Sequence, residues 1–212
     1  MTSLPTWLDP LVDVIGVVGA EDLAPKFPHP PEVARPAGVL MLFFETDGAP
    51  SVLLTERAST LRNHARQISF PGGRQDPEDA DLAVTALREA HEEVGLDPAE
   101  VEVVGELPPL WLPPSNHAVT TVLGHWGTPT TLAPRSPDEV EAVLPVTIDH
   151  LMDPANRYSV VHPSGWIGPG FDIGAPVPLW GFTAGVISRL FARAGWEKPW
   201  DEERTIDISE FM

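Results

Sequence analysis

Three glutamates close together give the clearest chemical signal in this 212-residue sequence. Glu89 and Glu93 have the i, i+4 spacing and Glu89 and Glu92 the i, i+3 spacing, so a helix would place all three carboxylates on one face. Like charges at these spacings destabilise an isolated helix by roughly 0.2–0.5 kcal/mol per pair, and only Arg88 is near enough to offset them. Such a face is typical of a site for a hard divalent cation, although acidic helix faces are also often merely solvated.

The flanking residues predict the helix that carries these glutamates. A second face repeats with a 3.6-residue period and is apolar, which would anchor the helix to a core. The residues of that face are Ala83, Leu87, Ala90 and Val94. Asp79 or Asp81 can cap the start of the helix, and Gly95 can end it.

Two glycines precede this helix and are expected to lie beside its carboxylates. Residues 51–55 and 67–70 are typical of short strands, so the chain order is strand, glycine loop and helix. Without Cβ atoms, Gly72 and Gly73 would let a phosphate approach the backbone closely, and the Gly72 carbonyl can face the same cation. The loop and the helix together predict a site for a phosphate-bearing ligand.

Residues 88–96 resemble the second half of the Nudix box, Arg-Glu-hydrophobic-x-Glu-Glu-x-Gly-hydrophobic, with Ala90 at the apolar position. The first half departs from the box, because one extra residue lies between Gly73 and Arg88. The early glutamate of the box falls on Asp79 when counted forward from Gly73, and on Ala80 when counted back from Arg88. No role is therefore assigned at that position.

A narrower resemblance is to the coenzyme A pyrophosphatase branch of Nudix hydrolases. Residues 53–58 resemble its Leu-Leu-Thr-x-Arg segment, and residues 61–73 resemble Leu-Arg-x-His-x-Gly-Gln-Val/Ile-x-Phe-Pro-Gly-Gly. The branch shares the longer spacing before the Arg-Glu run. Arg66 stands where the branch has glycine, a change that bears on the substrate and not on the chemistry. Further similar segments lie at 113–116, 137–140, 151–154 and 179–185, and the resemblance covers roughly residues 38–192.

The resemblance implies a fold, a metal and roles for particular residues. The fold would be α/β, a Nudix-type α/β/α sandwich with a mixed β-sheet. Glu89 and Glu93 are the expected ligands of Mg²⁺ or Mn²⁺, with Glu92 as a third. Arg88 would hold a box carboxylate in place, and the catalytic base would be either Glu92 or Glu139, the latter from a distant loop. A metal-bound water has a lowered pKa and could attack a pyrophosphate bond.

A local concentration of cations indicates how an anionic substrate would be held. The chain has 13 Lys and Arg against 31 Asp and Glu, yet several cations lie around the glycine loop. We expect substrate binding by Arg57, Arg62, Arg66, Gly72, Gly73 and Arg74, whereas His64 is a loop hydrogen-bonding residue more often than a base. Coenzyme A, with its 3′-phosphate, fits such a cluster. The alternatives are another nucleoside diphosphate derivative, such as ADP-ribose or NADH, and a Nudix-fold binding module without turnover.

Composition limits the remaining possibilities. The formal net charge of −18 argues against a nucleic-acid partner, and the lack of cysteine excludes thiolate chemistry. No run approaches the roughly 20 apolar residues that span a bilayer, and no signal peptide is evident at the N-terminus. We therefore expect a soluble cytoplasmic enzyme without a membrane partner. A homodimer is compatible with the family.

The predicted organisation is an N-terminal extension with a Pro-rich connector at 1–37, a Nudix hydrolase domain at 38–195 and a C-terminal tail at 196–212. The apolar positions of the extension (Leu8, Leu11, Val12 and Ile15) indicate either a docking helix or a dimer contact. Further strands are predicted at 39–44, 101–104, 119–123 and 146–148, and a hairpin at 160–166. A second helix is predicted at 183–194, with Thr183 as its N-cap.

Overall fold

The computed structural model describes residues 4–25, 29–61 and 64–211, which form two β-sheets and their covering helices. The main sheet contains β1 (Arg35–Thr46), β2 (Ala49–Arg57), β3 (Ile68–Ser69), β4 (Gly72–Arg74), β5 (Val101–Glu106), β6 (Leu110–Leu112), β7 (His117–Trp126) and β8 (Val140–Thr147). The small sheet contains β9 (Arg157–Val161), β10 (Ile167–Phe171) and β11 (Thr205–Asp207). The α-helices are α1 (Asp9–Ile15), α2 (Ala20–Leu23), α3 (Leu82–Val94), α4 (Ile148–Met152) and α5 (Gly181–Arg193).

The main sheet is mixed and forks along one edge of β1. The other edge of β1 pairs in parallel with β7 over nine registered residues, 35–43. At the fork, β1 pairs antiparallel with β2 at residues 43–46 and with β4 at residues 37–39. Past this point β2 pairs with β3 on the edge that it shared with β1, while β8 pairs with its other edge along residues 51–57. Arg57 therefore ends one branch of the fork, while the glycines of β4 lie in the other.

Helices cover both faces of this sheet, so the predicted α/β/α sandwich is confirmed. Alternate residues of β1 and β2 point to opposite faces, as a strand requires. On one face, Leu40, Leu42 and Leu53 pack with Ala86, Ala90 and Val94 of α3. On the other face, Met41, Phe43 and Leu54 pack with Ile187, Leu190 and Phe191 of α5.

Helix α3 begins and ends as the sequence predicts, and it lies very close to β1. The Asp81 carboxylate accepts a hydrogen bond from the backbone N–H of Val84, which satisfies a donor in the first turn. Gly95 ends the helix in the left-handed conformation, with φ of 79°. A Cβ at Gly38 of β1 would lie 2.6 Å from the carbonyl oxygen of Leu82. Glycine at this position therefore lets the start of α3 approach the strand.

Two helix starts differ from the sequence prediction. Helix α5 begins at Gly181 and Trp180 is the residue before it, so Thr183 lies inside the first turn and is not the N-cap. Gly181 has φ of 72°, a conformation that glycine adopts without strain and that turns the chain into the helix early. Ile148 is not the end of a strand but the first residue of α4, because Thr147 accepts a hydrogen bond from the backbone N–H of His150.

Both terminal segments pack against the body of the protein. Leu8 and Leu11 are fully buried in the core that α5 covers, so the N-terminal segment docks on its own chain. At the other terminus, β11 pairs in parallel with β9. The buried Arg157 donates to Glu197 at 2.7 Å and lies over the ring of Trp200, which holds the C-terminal segment in place. Among the residues that the structure describes, no helix is both long and apolar enough to cross a membrane.

We expect Leu11→Ala to lower the free energy of unfolding by about 2–3 kcal/mol, because it removes a fully buried side chain from the core. The adjacent Val12 is 41% exposed, so Val12→Ala is the matched control and should cost less than about 0.5 kcal/mol. Urea unfolding measures both variants. Equally small effects would show that this helix contributes nothing to the fold.

Candidate active site

The candidate site is built around the two glycines of β4. A Cβ at Gly72 would lie 2.5 Å from the carbonyl oxygen of Gly38, and a Cβ at Gly73 would lie 2.4 Å from a carboxylate oxygen of Glu89. Gly72 also has φ of 153°, a value that side chains disfavour. A side chain at either position would displace β1 or the α3 carboxylate. Gly72 therefore allows β1 to lie against β4, and Gly73 allows the Glu89 carboxylate to do so.

Two of the three predicted metal ligands converge on this strand. Glu93 is only 4% exposed, and its carboxylate accepts a hydrogen bond of 3.1 Å from the backbone N–H of Gly72. Burial raises the pKa of Glu93 to about 8, and the neighbouring charge of Glu89 adds to this effect. Burial also raises the pKa of Glu89. Two neighbouring carboxylates that are costly to ionise are typical of a functional site.

The third predicted ligand, Glu92, is oriented differently. Its side chain is 54% exposed and accepts a hydrogen bond of 3.3 Å from Nη1 of Arg88. The same Nη1 donates to Glu89 at 3.0 Å. Arg88 therefore bridges Glu89 and Glu92 at the outer edge of the cluster.

Arg88 is itself fixed by Asp79, a residue to which sequence reasoning gave no catalytic role. Its guanidinium donates to both carboxylate oxygens of Asp79, at 3.0 Å from Nε and 2.9 Å from Nη2. Asp79 also accepts hydrogen bonds from the Asp76 backbone and the Thr85 hydroxyl. The bond to Arg88 is the main reason that the pKa of Asp79 lies well below its usual range. The count forward from Gly73 was the signal that could have identified Asp79.

A distant loop brings Glu139 to the same place. The negative charge of Glu139 contributes to the raised pKa of both Glu89 and Glu93, after the effect of their burial. The loop is attached to the end of α3, where Ser136 Oγ donates to the Glu92 carbonyl and the Arg135 backbone donates to the Glu93 carbonyl. The Glu139 carbonyl in turn accepts from the backbone N–H of Ala58. These bonds fix an exposed carboxylate beside the cluster.

Arg57 supplies a cation at the end of β2. Its positive charge lowers the pKa of Glu93, against the larger effect of burial. Within the described ranges, the buried Nε of Arg57 has no hydrogen-bond partner. A buried donor without a partner is costly, so the position of Arg57 beside the carboxylates is held at a cost in stability.

The other predicted substrate residues lie apart from the carboxylates or beyond the described part of the chain. Arg66 adopts the left-handed conformation with φ of 61°, and its Nε lies 3.4 Å from the buried carboxylate of Glu56. The ring of His64 shares a hydrogen bond with the Gln67 side chain at 2.8 Å. The exposed side chain of Arg74 leaves β4 on the face opposite Glu89. Arg62 lies outside the described residues.

The donors gathered here suit a hard divalent cation such as Mg²⁺ or Mn²⁺. Glu89, Glu93 and Glu139 offer only oxygen atoms, and the repulsion between them would be relieved by a positive ion. Within residues 4–25, 29–61 and 64–211, no three His, Asp or Glu side chains already surround a single point in the manner of metal ligands. The assignment of Glu89, Glu92 and Glu93 as metal ligands therefore stays a prediction. Glu89 and Glu93 are better placed for this role than Glu92.

Comparison with known proteins identifies the family. Residues 34–162, more than half of the chain, match the NUDIX domain. The chain belongs to the Nudix family. It is 34% identical over 200 residues to Nudix hydrolase 15, mitochondrial, of Arabidopsis thaliana, which covers 88% of this chain and 68% of the relative. It is 36% identical over 186 residues to the uncharacterized Nudix hydrolase NudL of Enterobacter, which covers 82% of this chain and 90% of the relative.

Solved structures agree with the Nudix fold. The Nudix hydrolase RenU of M. smegmatis aligns with a TM-score of 0.55 and 20% identity, covering 80% of this chain and 91% of that protein. A MutT/nudix family protein from Enterococcus faecalis aligns with a TM-score of 0.51 and 16% identity, covering 92% of this chain and 76% of that protein. The family match and the sequence relatives make the chain a Nudix hydrolase, an enzyme that acts on nucleoside diphosphate derivatives.

Asp79→Asn should destabilise this Nudix domain by about 1–3 kcal/mol at pH 7, because it removes a buried partner of Arg88. Asp76→Asn is the matched control, since Asp76 is 48% exposed and lies 3.8 Å from the same guanidinium. Because the pKa of Asp79 is lowered, its carboxylate contributes its full stability at pH values above the usual pKa of an aspartate. The difference in stability between wild type and Asp79→Asn should therefore shrink as the pH falls below that usual pKa. Urea unfolding between pH 3 and 7 measures it, and equal effects of the two substitutions would contradict the role of Asp79.

Without metal, Glu93→Gln should stabilise the protein at high pH. The pKa of Glu93 is raised to about 8, so its carboxyl favours folding when protonated and loses that contribution as the pH rises through 8. Glutamine stays neutral and keeps an acceptor for Gly72, so the variant should exceed wild type by about 1 kcal/mol or more at pH 9.

Thermal melts with EDTA at pH 5 to 9 test this, with Glu92→Gln as the control at an exposed position. Adding Mg²⁺ or Mn²⁺ should raise the melting temperature of wild type and leave that of Glu93→Gln unchanged. A metal-induced shift of equal size in both would overturn the assignment of Glu93 as a ligand.

Proposed function

We propose that this Nudix hydrolase cleaves the pyrophosphate bond of coenzyme A or an acyl-CoA, in a reaction that requires Mg²⁺ or Mn²⁺. Water adds to one phosphorus and the bridging oxygen leaves with the other, which gives 3′,5′-ADP and (acyl-)4′-phosphopantetheine. The resemblance of residues 53–58 and 61–73 to the coenzyme A branch supports this substrate. Their described residues include most of β2, all of β3 and the first two residues of β4.

The observation that carries the proposal is the convergence of four charged residues, from three elements, on β4. Arg57 from β2, Glu89 and Glu93 from α3, and Glu139 from the loop before β8 influence one another electrostatically beside the glycines. A pyrophosphate needs neutralisation of its oxygens, a deprotonated water and a close approach to the backbone. This arrangement supplies residues for all three requirements.

Each residue then has a definite task. Glu89 and Glu93, with Glu92, would hold the cation, whose chemistry is to neutralise phosphate oxygens and acidify a bound water. Glu139 would accept a proton from the attacking water, as an exposed carboxylate fixed by its backbone can. Arg57 would donate from its guanidinium to a phosphate oxygen. Arg88, fixed by Asp79, keeps Glu89 in place.

A second candidate substrate is another nucleoside diphosphate derivative, such as ADP-ribose or NADH. The observation that favours it is Arg66, which replaces the glycine of the coenzyme A branch yet keeps the left-handed backbone that glycine would adopt. Its guanidinium adds bulk and charge beside Arg57, whose backbone N–H donates to the carbonyl of Gln67. The cytoplasmic location and the homodimer remain predictions from the sequence.

We expect the wild-type protein to release 3′,5′-ADP from coenzyme A in the presence of Mg²⁺ or Mn²⁺, measured by liquid chromatography alongside ADP-ribose and NADH. Glu93→Gln should lose at least 100-fold in kcat while it remains folded, because it removes a ligand charge without changing shape. Glu139→Gln should also lower kcat and should remove the acidic limb of the pH profile if Glu139 is the base.

Three results would change the conclusion. Hydrolysis of ADP-ribose or NADH alone would replace the substrate and retain the chemistry, and Arg66→Gly should then shift activity toward coenzyme A. Binding of these compounds without turnover would favour a ligand-binding module. Normal turnover by Glu93→Gln would refute the proposed use of the carboxylate cluster.

A further inference from the structure

Three strand ends bring two arginines and a histidine to one face of the main sheet. Arg35 at the start of β1 pairs directly with His117 at the start of β7. Arg74 at the end of β4 pairs with Ala37, two residues along β1. Because side chains alternate along a strand, all three point to the face that α5 covers. Gly73 and Glu89 lie on the opposite side of β4.

This cluster is cationic and lacks an acidic counterpart among the described residues. Arg35 and Arg74 are both exposed, and neither forms a salt bridge within the described ranges. The pKa of His117 is lowered, first by partial burial and then by the charges of these two arginines. The chain has only 13 Lys and Arg in 212 residues, so an uncompensated group of this kind is unusual for its composition.

The cluster is also held in position before any ligand binds. Nη2 of Arg35 donates to the Ser115 carbonyl at 2.7 Å, and the Arg35 backbone N–H donates to the Asn116 carbonyl at 2.9 Å. Asn116 has φ of 53° and its side chain donates to the Val33 carbonyl, which fixes the turn before β7. An arginine that is already oriented loses less conformational entropy on binding an anion.

Arg74 links this cluster to the carboxylates. Its carbonyl oxygen accepts a hydrogen bond of 3.2 Å from Nη2 of Arg88, and it directly follows Gly73, which packs on Glu89. The two faces of a three-residue strand therefore carry opposite charge, with carboxylates on one side and cations on the other. A ligand that reaches around the free edge of β4 at the fork would contact both.

We propose that Arg35, Arg74 and His117 bind a phosphomonoester of the substrate, separate from the diphosphate that is cleaved. This inference rests on the proposed function, and in coenzyme A the group would be the 3′-phosphate. Guanidinium groups bind phosphate oxygens in a bidentate manner, and the imidazole can add a further donor. Arg35 and His117 would thus determine specificity, since neither lies among the carboxylates.

The first test compares coenzyme A with 3′-dephospho-coenzyme A as substrates. Wild type should prefer coenzyme A in kcat/KM, and Arg35→Ala should reduce this preference at least tenfold through a higher KM for coenzyme A. The kcat/KM for the dephospho form should stay within twofold of wild type. Arg35→Lys, which keeps the charge, should restore part of the preference.

Lys198→Ala is the matched control, because it also removes one exposed positive charge. Lys198 lies beside Pro50, at the far end of β1 from Arg35, which a strand of this length places roughly 30 Å away. The substrate preference of Lys198→Ala should equal that of wild type. An unchanged preference in Arg35→Ala, or an equal loss with both substrates, would overturn the proposed site.

A second test does not depend on turnover. The ring of His117, assigned with the His117→Gln variant, is titrated by NMR with and without adenosine 3′,5′-bisphosphate. Binding should raise the pKa of His117 in wild type, because the anion offsets the charges of Arg35 and Arg74, and the rise should be smaller in Arg35→Ala.

The two tests separate failure of the site from failure of the proposed function. A His117 that responds to the bisphosphate in a protein that does not hydrolyse coenzyme A would retain the site and reject that substrate. Hydrolysis of coenzyme A by a protein whose His117 ignores millimolar bisphosphate would reject the site and retain the function.

Discussion

The placement of the Glu93 carboxylate against a β-strand is the constraint on which the rest of the site depends. A carboxylate that is 4% exposed is costly to ionise, and Glu89 and Glu139 beside it increase the cost. Arg88 compensates only the outer edge, through Glu89 and Glu92. At the inner edge, the Gly72 backbone donor and the charge of Arg57 lower the pKa of Glu93 by less than burial raises it. The raised pKa means that this edge can hold a proton in the absence of a cation.

Three glycines make this close packing possible. Gly38 admits the start of α3, Gly72 admits the backbone of β1, and Gly73 admits the Glu89 carboxylate. In each case a Cβ would lie within 2.6 Å of a neighbouring atom, which is shorter than van der Waals contact allows. The glycine pair in the sequence is thus explained by two separate contacts, one with a strand and one with a side chain. The conformational freedom that glycine gives to the loop is a less important reason for these two glycines.

Sequence reasoning succeeded where the determinants were local. Periodicity and caps located α3, since Asp81 and Gly95 act within a few residues of its ends. It misplaced the start of α5, because the positive φ of Gly181 outweighed the propensity of Thr183. Asp79 was identifiable only by counting from Gly73. The pairing of Arg35 with His117 could not be predicted from the sequence, because it depends on the register of two parallel strands far apart in the chain.

The charge distribution explains how an acidic protein can bind an acidic ligand. A formal net charge of −18 repels anions at long range, but at physiological salt this field is screened beyond about 8 Å. Recognition then depends on charges within that distance of the ligand. In the proposed complex, Arg35, Arg74 and His117 would act at this range, whereas the carboxylates on the other face of β4 would act through a bound cation. The short strand that separates the two faces would then determine which part of a substrate meets which charge.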